Sequence, residues 1–320
     1  MKEFTISKQN EGQRFDKYLF RILGNSSMSF VFKMLRKKNF VLNDKRATGK
    51  EILKAGDIVK IYLSDETFDK FKTPDKLSDS SFEKSKKTSS FDLKKNIIYE
   101  DKDIILINKP YNMLSQKAEK DDVSINEYII EYLVNTGKID NNSLTYFKPS
   151  CVNRLDRNTT GIIIAAKTLK AAQVLSEALK NRTIEKYYKC LVYGEFAANG
   201  SYKAYLTKDN ASNKVSITDN KLSDDSNYIE TAYKLIKFDN DLSEVEVHLI
   251  TGKSHQIRAH IAYLGFPIIG DKKYGNKSVN DKYKAKHQLL HAYKIVFPDF
   301  KSTDFEFSGK TFICDPVFRY

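Results

Sequence analysis

An aspartate lies between two arginines in the most unusual stretch of the chain, where Arg154, Asp156 and Arg157 stand within three residues of one another. Two threonines and Gly161 follow, directly before an all-apolar segment. A carboxylate beside guanidinium groups stays charged and oriented, as a nucleophile or a general base requires. The same residues also fit a turn whose aspartate accepts backbone hydrogen bonds and whose arginines face solvent. Composition alone favours the turn.

A second polar cluster occupies residues 251–260, where a predicted strand ends and a helix begins. His255 and Arg258 are three positions apart and share one helix face, where a helix N-terminus can bind phosphate or orient a carboxylate. His255 and His260 are five positions apart, which is the wrong spacing for two metal ligands on one face. Helix-capping residues explain the cluster equally well.

A third candidate is the sequence KYYK, which starts a predicted strand and contains Tyr188. A tyrosine here can be an aromatic residue at a sheet edge. It can also present its phenol to a pocket, where it moves a proton or stacks on a base. The pattern leaves both interpretations open.

The 320-residue chain has 54 Lys and Arg against 41 Asp and Glu, a net charge of +13 that favours a polyanionic partner. Its three cysteines, Cys151, Cys190 and Cys314, form no C-x-x-C pair, so we expect reduced thiols and no metal site. The N-terminus lacks an apolar signal segment, and no run reaches the roughly 18 apolar residues that span a bilayer. We therefore expect a cytoplasmic protein without a membrane partner.

Residues 1–64 carry net +8 of this charge, from 14 Lys and Arg and 6 Asp and Glu. Apolar spacing predicts a helix opening at Arg14 and a second helix from an N-cap at Ser29 to Lys38, followed by short strands. The second helix has basic residues away from its apolar side, at Lys33, Arg36 and Lys37. Such a face fits a phosphate backbone, and a solvated face without a partner is the alternative.

Residues 65–95 are rich in Ser, Lys and Asp and poor in aliphatic residues, so we predict a flexible linker. Residues 96–320 predict an α+β domain, because strands dominate without steady βαβ alternation. The predicted elements are a hairpin of 96–99 and 104–107, strands at 162–166, 187–193 and 244–249, and a helix from Thr168 to Asn181. Since there is no glycine-rich phosphate loop, we expect no nucleotide cofactor.

Four motifs in the same order resemble the RluA-type family of RNA pseudouridine synthases: NRLDRNTTG, KYYKCLVYG, TGKSHQIRAHIAYLGFPIIGDKKYG and LLHA. They cover about residues 97–298, and residues 13–63 resemble the alpha-L RNA-binding fold. The resemblance implies a catalytic domain at 96–320 with a mixed, mainly antiparallel sheet, flanking helices and an RNA cleft. It also implies a small RNA-binding domain at 1–64, with RNA contacts from Lys33, Arg36, Lys37 and Lys38.

The resemblance also assigns site residues. Asp156 matches the family's essential aspartate, Tyr188 its K-x-Y tyrosine, and Arg258 the arginine that pairs with the aspartate. Residues 289–291 match a motif that we expect to form or support the pocket wall. Asn153 replaces the family's usual histidine, which is thought to help in strand binding or base flipping, so this change concerns substrate choice more than chemistry.

The family's reaction detaches uracil from ribose at nitrogen, rotates it and rejoins it through carbon 5, and it needs no cofactor or metal. We expect Asp156 to act as nucleophile or base, with Arg258 keeping it charged and oriented. Tyr188 is expected to pack against the flipped base and to remove the carbon-5 proton. The predicted RNA contacts near the site are Asn153, Arg154, Arg157 and His255.

Large-subunit ribosomal RNA is the expected target, since this domain pair resembles enzymes for that RNA, and transfer RNA is the alternative. A non-catalytic RNA-binding or ribosome-assembly factor would have no need of Asp156, Tyr188 and Arg258 together. A hydrolase with paired carboxylates would need a second acidic residue, for which Glu185 is a weak candidate. The sequence does not report the oligomeric state, and a monomer is the default.

Overall fold

A computed structural model describes residues 1–72, 91–119, 121–139, 144, 147–209, 214–301 and 303–318. The chain divides into two compact units. Within the described residues, unit 1 comprises Met1–Ser89, Ile130–Pro149 and Thr168–Lys170, and unit 2 comprises Ser90–Ile129, Ser150–Lys167 and Ala171–Tyr320. Among these residues, no helix has both the length and the apolar character needed to cross a membrane.

The N-terminal part of unit 1 packs helices against a small antiparallel sheet, whose strand order is β1-β4-β2-β3. Its elements are β1 (Lys2–Thr5), α1 (Phe15–Ile22), α2 (Met28–Arg36), β2 (Phe40–Leu42), β3 (Lys45–Arg46), β4 (Ile58–Ile61) and α3 (Asp65–Phe71). The apolar faces predicted for the first two helices are buried, because Phe15, Leu19 and Leu35 belong to one core cluster.

Two boundaries in this region differ from the predictions. The N-cap of α2 is Ser27, whose hydroxyl accepts a hydrogen bond from the Phe30 N–H at 3.2 Å, so the predicted cap at Ser29 is wrong. The helix also ends at Arg36, because Lys38 has a left-handed φ of 61°. Local capping chemistry allows either serine, and the packing of Val31 and Leu35 in the core selects the register.

The predicted linker over 65–95 is wrong at its two ends. Ser64 caps α3 by accepting from the Thr67 N–H, and Phe68 of that helix is buried in the core of unit 1. Leu93 is buried as well. The few phenylalanines and leucines of this polar stretch therefore bury apolar surface. The average composition of the stretch is too polar to indicate this burial. Residues 73–90 lie outside the described residues.

The remaining elements, in chain order, are β5 (Ile97–Glu100), β6 (Ile104–Lys109), α4 (Ile125–Asn135), β7 (Ser150–Cys151), β8 (Thr160–Ala166), α5 (Leu169–Lys180), β9 (Glu185–Tyr193), β10 (Gly200–Asp209), β11 (Lys214–Thr218), β12 (Asn227–Asp239), β13 (Leu242–Leu249), α6 (Gln256–Tyr263), α7 (Lys277–Lys282), β14 (Leu290–Val296) and β15 (Thr311–Ile313). In the described part of unit 2, eleven strands form one sheet with the path β11-β10-β12-β13-β9-β14-β8-β6-β5. Strand β15 pairs with β14, and β7 with β8. The β8–β14 pair is parallel and the others are antiparallel, so the predicted mixed, mainly antiparallel sheet is confirmed.

The centre of this sheet brings the sequence motifs together. Strand β14 pairs with β8 on one side, which follows the Asp156 segment, and with β9 on the other, which carries Tyr188. Gly161 permits the close approach of β8 and β14, because it has a φ of 106° and a Cβ there would collide with the Ala292 backbone. Residues far apart in sequence thus meet at one region of the sheet.

Candidate active site

Arg258 connects two aspartates at the start of α6. Its Nη1 donates to Asp156 Oδ2 at 2.8 Å. Its Nε and Nη2 donate to Asp271 Oδ2 and Oδ1 at 2.6 and 2.9 Å, which is the bidentate geometry that a guanidinium allows. The Asp271 side chain is fully buried, whereas that of Asp156 is 28% exposed. Asp271 therefore fixes the guanidinium, and Asp156 is the member of the group that solvent or a substrate reaches.

The charges in this group support one another. Burial acts to lower the pKa of Arg258, but the hydrogen bonds and charges of Asp271 and Asp156 outweigh burial and raise it above its ordinary value. Burial acts to raise the pKa of Asp271, yet Arg258 and the backbone N–H groups of Lys273 and Tyr274 bring it below its usual range. Both side chains are thus charged at neutral pH.

The backbone on either side of Asp156 is held in place by buried side chains. The Ser115 hydroxyl donates to the Leu155 carbonyl at 2.9 Å and accepts from the Leu155 N–H at 3.0 Å. The Gln288 amide donates to the Thr159 hydroxyl at 2.8 Å. These bonds fix the loop before a substrate arrives, so that the carboxylate need not reorganise.

Lys109, at the end of β6, is hydrogen-bonded to the same loop. It is fully buried, and its Nζ donates to the carbonyls of Pro110, Met113 and Arg157 at 2.9, 2.9 and 3.0 Å. Burial lowers the pKa of Lys109 to about 7, while the charge of Asp156 acts in the opposite direction. Three carbonyl acceptors match the three protons of an ammonium group. Lys109 therefore holds the backbone of the residue that follows Asp156.

His255 lies beside Asp156, with its Nε2 3.9 Å from Asp156 Oδ2. Its Nδ1 is 2.9 Å from the Tyr274 hydroxyl, which accepts a hydrogen bond from the Val215 N–H. Burial lowers the pKa of His255, although the charge of Asp156 opposes this. A neutral ring whose Nδ1 accepts from Tyr274 carries its proton on Nε2, which faces the carboxylate. The histidine predicted to contact RNA thus belongs to the Asp156 site itself.

Tyr188 is buried in β9, and its side chain forms part of the same cleft. Burial raises the pKa of Tyr188, and the nearby charge of Asp156 adds to the effect. A phenol with a raised pKa stays protonated at neutral pH. In the free protein Tyr188 therefore offers a ring and a hydroxyl group, and no phenolate base.

Asp156, Tyr188, His255 and Arg258 line a cleft of about 900 Å³ within unit 2. Among the described residues that line it, Asp156 is the only acidic one. The basic residues of the lining are Arg154, Arg157, Lys180, Arg182, Lys186, Lys253, Arg258, Lys272, Lys273 and Lys286. Clefts lined by one sign of charge attract ligands of the opposite sign, so this one suits a polyanion with a neutral part beside Asp156.

The other predicted site residues fall into two groups. Arg154 and Arg157 are exposed in the cleft, and Asn153 also lines it while its Oδ1 accepts from the Ile164 N–H at 2.8 Å. The predicted RNA contacts of the N-terminal region are exposed at the C-terminal end of α2 and just beyond it, in unit 1: Lys33, Arg36, Lys37 and Lys38. Cations there also interact favourably with the helix dipole, without any partner.

Two residues that position Asp156 through their contacts with Arg258 and His255 were not predicted from the sequence. Asp271 and Tyr274 lie in the motif GDKKYG, at the end of the third motif of the family resemblance, and the resemblance assigned no role to either residue. The motif 289–291 was expected to form or support the pocket wall: Leu290 lines the cleft, and His291 is buried and bridges the Thr160 hydroxyl and the Cys314 carbonyl at 2.7 and 2.9 Å. His291 therefore supports the strands behind the cleft.

The described part of the chain has no cluster of three or more His, Cys, Asp or Glu that could hold a metal ion.

A family model described as RNA pseudouridylate synthase matches residues 103–263. An RNA pseudouridine synthase of Mycoplasma genitalium is 32% identical over 312 residues, which cover 95% of this chain and 91% of that protein. The ribosomal large subunit pseudouridine synthase C of Rickettsia felis is 34% identical over 290 residues, which cover 89% of this chain and 88% of that protein.

One solved structure, human RNA pseudouridylate synthase domain containing 4, matches with a TM-score of 0.56 at 19% identity. The match covers 73% of this chain and 91% of that one. At this identity the likeness concerns the fold alone, and it confirms the predicted fold class.

Proposed function

The chain belongs to the RNA pseudouridylate synthase family, and we propose that it converts uridine to pseudouridine in large-subunit ribosomal RNA with Asp156 as the essential carboxylate. Its enzyme class is RNA pseudouridine synthase, an isomerase. The observation that carries the residue assignment is the cleft of unit 2. There, the single carboxylate among the described lining residues, which is 28% exposed, is hydrogen-bonded by a buried guanidinium and surrounded by cations.

The reaction is an isomerisation, so its atoms must balance without a second reactant. The bond between ribose C1′ and uracil N1 breaks, a bond from C1′ to C5 forms, and the proton of C5 is lost while N1 gains one. A carboxylate beside C1′ or the base can act as nucleophile or as base, and both modes need the Asp156 carboxylate to be held in place, which the hydrogen bond from Arg258 does. Cations along the cleft offset the cost of extruding the base, which is a few kcal/mol.

Tyr188 is proposed to pack against the extruded uracil and to transfer the C5 proton. Because its phenol is protonated, it can accept this proton only by passing its own to the Asp156 carboxylate, which is free again once the base has rejoined the sugar. Tyr188→Phe should therefore retain RNA binding but release tritium from 5-tritiated uridine about 10²- to 10⁴-fold more slowly. A rate within a few-fold of the unchanged protein would leave Tyr188 with a packing role alone.

The ribosomal target is supported by the similarity to the Rickettsia felis relative, which is a ribosomal large subunit pseudouridine synthase. It also agrees with the proposed cytoplasmic location. The exposed cations at the end of α2 are proposed to contact structured RNA, and they suit either target, ribosomal or transfer RNA.

The experiment deletes the gene and maps pseudouridine in total RNA by primer extension after carbodiimide modification. We expect one or more sites to disappear from large-subunit ribosomal RNA and to return with the unchanged gene but not with Asp156→Asn. Asp224→Asn, at a fully exposed aspartate, is the matched control and should restore the sites. Loss of sites from transfer RNA alone would overturn the ribosomal target, and restoration by Asp156→Asn would overturn the role of Asp156.

A further inference from the structure

Two aromatic rings lie stacked at the mouth of the Asp156 cleft. The rings of Tyr111 and His287 have centroids 4.3 Å apart and planes within 5° of parallel. His287 lines the cleft, whereas Tyr111 is 50% exposed. The stack therefore presents a rigid aromatic surface to solvent next to the cleft.

Residues near each ring are hydrogen-bonded to the loop that carries Asp156. Tyr111 is at the tip of a turn in which Lys109 donates to the carbonyls on both sides, at Pro110 and Met113. The same turn is bonded to the Arg157 carbonyl, through the Met113 N–H at 3.2 Å and Lys109 Nζ at 3.0 Å. On the other side, Gln288, the neighbour of His287, donates to Thr159. The position of the stack relative to Asp156 is thus fixed from two directions.

The stack differs from the other exposed tyrosines of unit 2. Tyr228 and Tyr263, for example, are held by hydrogen bonds of their hydroxyls with Glu230 and Asp219. For Tyr111 the described contact is through its ring face. In the His287 ring, Nδ1 is buried and has no hydrogen-bond partner among the described residues. Neither ring is arranged for polar recognition, and what the pair offers a ligand is a flat apolar face.

The surroundings identify the ligand as a nucleic acid strand. Lys286 adjoins His287, and Lys272, Lys273 and Arg157 line the same cleft. Cations beside an exposed aromatic face are the combination that binds unpaired RNA, because the cations neutralise phosphates and bases of any identity stack on the ring. An apolar ligand without charge would leave the cations unused.

We propose that the Tyr111–His287 stack is a base-binding subsite, which holds an unpaired RNA base beside the uridine in the Asp156 cleft. This inference rests on the proposed function, since it needs an RNA strand in the cleft. The subsite keeps the strand open next to the extruded uridine, so that the uridine does not return to its stack. It favours an unpaired neighbour over a paired one and so contributes to the choice of site.

The chain has no tryptophan, so Tyr111→Trp places a single fluorescent indole in the proposed subsite. The probes are an oligouridylate of about twelve nucleotides and an inorganic polyphosphate of the same charge, added to the full-length protein. We expect oligouridylate to quench the indole by roughly half, because bases stack on it, and polyphosphate to leave it unchanged. Tyr263→Trp, at a tyrosine 47% exposed, is the matched control and should respond to neither probe.

Direct binding provides the second readout. Tyr111→Ala should weaken oligouridylate binding roughly 5- to 100-fold with an unchanged salt dependence, and Tyr111→Phe should bind within twofold of the unchanged protein. Polyphosphate binding should be the same in all three proteins, whereas a collapsed loop would weaken it.

Two results would overturn the subsite and leave the proposed function standing. In the first, oligouridylate binds the unchanged protein but does not quench the indole at position 111. In the second, polyphosphate quenches this indole as much as oligouridylate does. Absence of oligouridylate binding to the unchanged protein at low salt would instead overturn the RNA cleft, and the subsite with it.

Discussion

The two basic regions of this protein use the same residue types in opposite ways. At the end of α2 in unit 1, Lys33 and Arg36 are exposed. Among the described residues, no hydrogen-bond network holds their charged groups in place. In unit 2, Arg258 is buried and donates three hydrogen bonds to two aspartates. Exposed cations attract a polyanion of any sequence, whereas a buried, bonded guanidinium positions one carboxylate. The first region should therefore contribute affinity and the second chemistry.

Among the substitutions that compare the two basic regions, Arg258→Lys should have the largest effect. A lysine cannot reproduce the fork that bonds Asp271 at two oxygens and Asp156 at a third. We expect isomerisation to fall about 10²- to 10³-fold and the free energy of unfolding to fall by about 3–5 kcal/mol. Activity is measured by tritium release and stability by urea unfolding.

Arg36→Lys, the same exchange in the exposed region, should change the free energy of unfolding by no more than about 0.5 kcal/mol. Equal effects of the two substitutions would remove the distinction between the regions.

Asp271→Asn tests the same comparison through the pH dependence of the free energy of unfolding. Because the pKa of Asp271 is lowered in the folded protein, its stabilising contribution is complete above its unfolded pKa of about 3.9 and disappears as the pH falls through the folded value. The stability difference between the unchanged protein and Asp271→Asn should be constant from about pH 5 to 7 and shrink below about pH 4. Urea unfolding at several pH values measures it, and a difference that grows on acidification would contradict the assignment.

The smallest effect on chemistry should come from the four cations of unit 1, replaced together by alanine: Lys33, Arg36, Lys37 and Lys38. We expect weaker RNA binding, with the slope of log affinity against log salt reduced by about three. The turnover rate at saturating RNA should stay within about twofold, and filter binding at several salt concentrations measures the slope.

The matched control for this variant removes the same charge from exposed residues elsewhere in unit 1: Lys45, Arg46, Lys50 and Lys54. An equal loss of slope in both variants would show that the end of α2 has no special role.

A contact could be predicted from the sequence where a recognisable motif or a local apolar spacing marks it, whatever its distance along the chain. Alternating apolar residues predicted central strands, and the family resemblance implied the pairing of Asp156 with Arg258, for which the structure shows a hydrogen bond at 2.8 Å. Asp271 is 13 residues from Arg258, at no helical or strand period, so its contact depends on how the intervening chain folds back. The burial of Lys109 was equally hidden, because a lysine at a strand end is exposed in most proteins.

The central claim is that the Asp156 carboxylate performs the chemistry and that the surrounding cations bind the RNA. The direct test is tritium release from RNA carrying 5-tritiated uridine, under single-turnover conditions, with unchanged protein and Asp156→Asn. The account predicts a rate at least about 10⁴-fold lower for Asp156→Asn, with RNA affinity within about threefold. Tritium release at a tenth of the original rate or faster would contradict it.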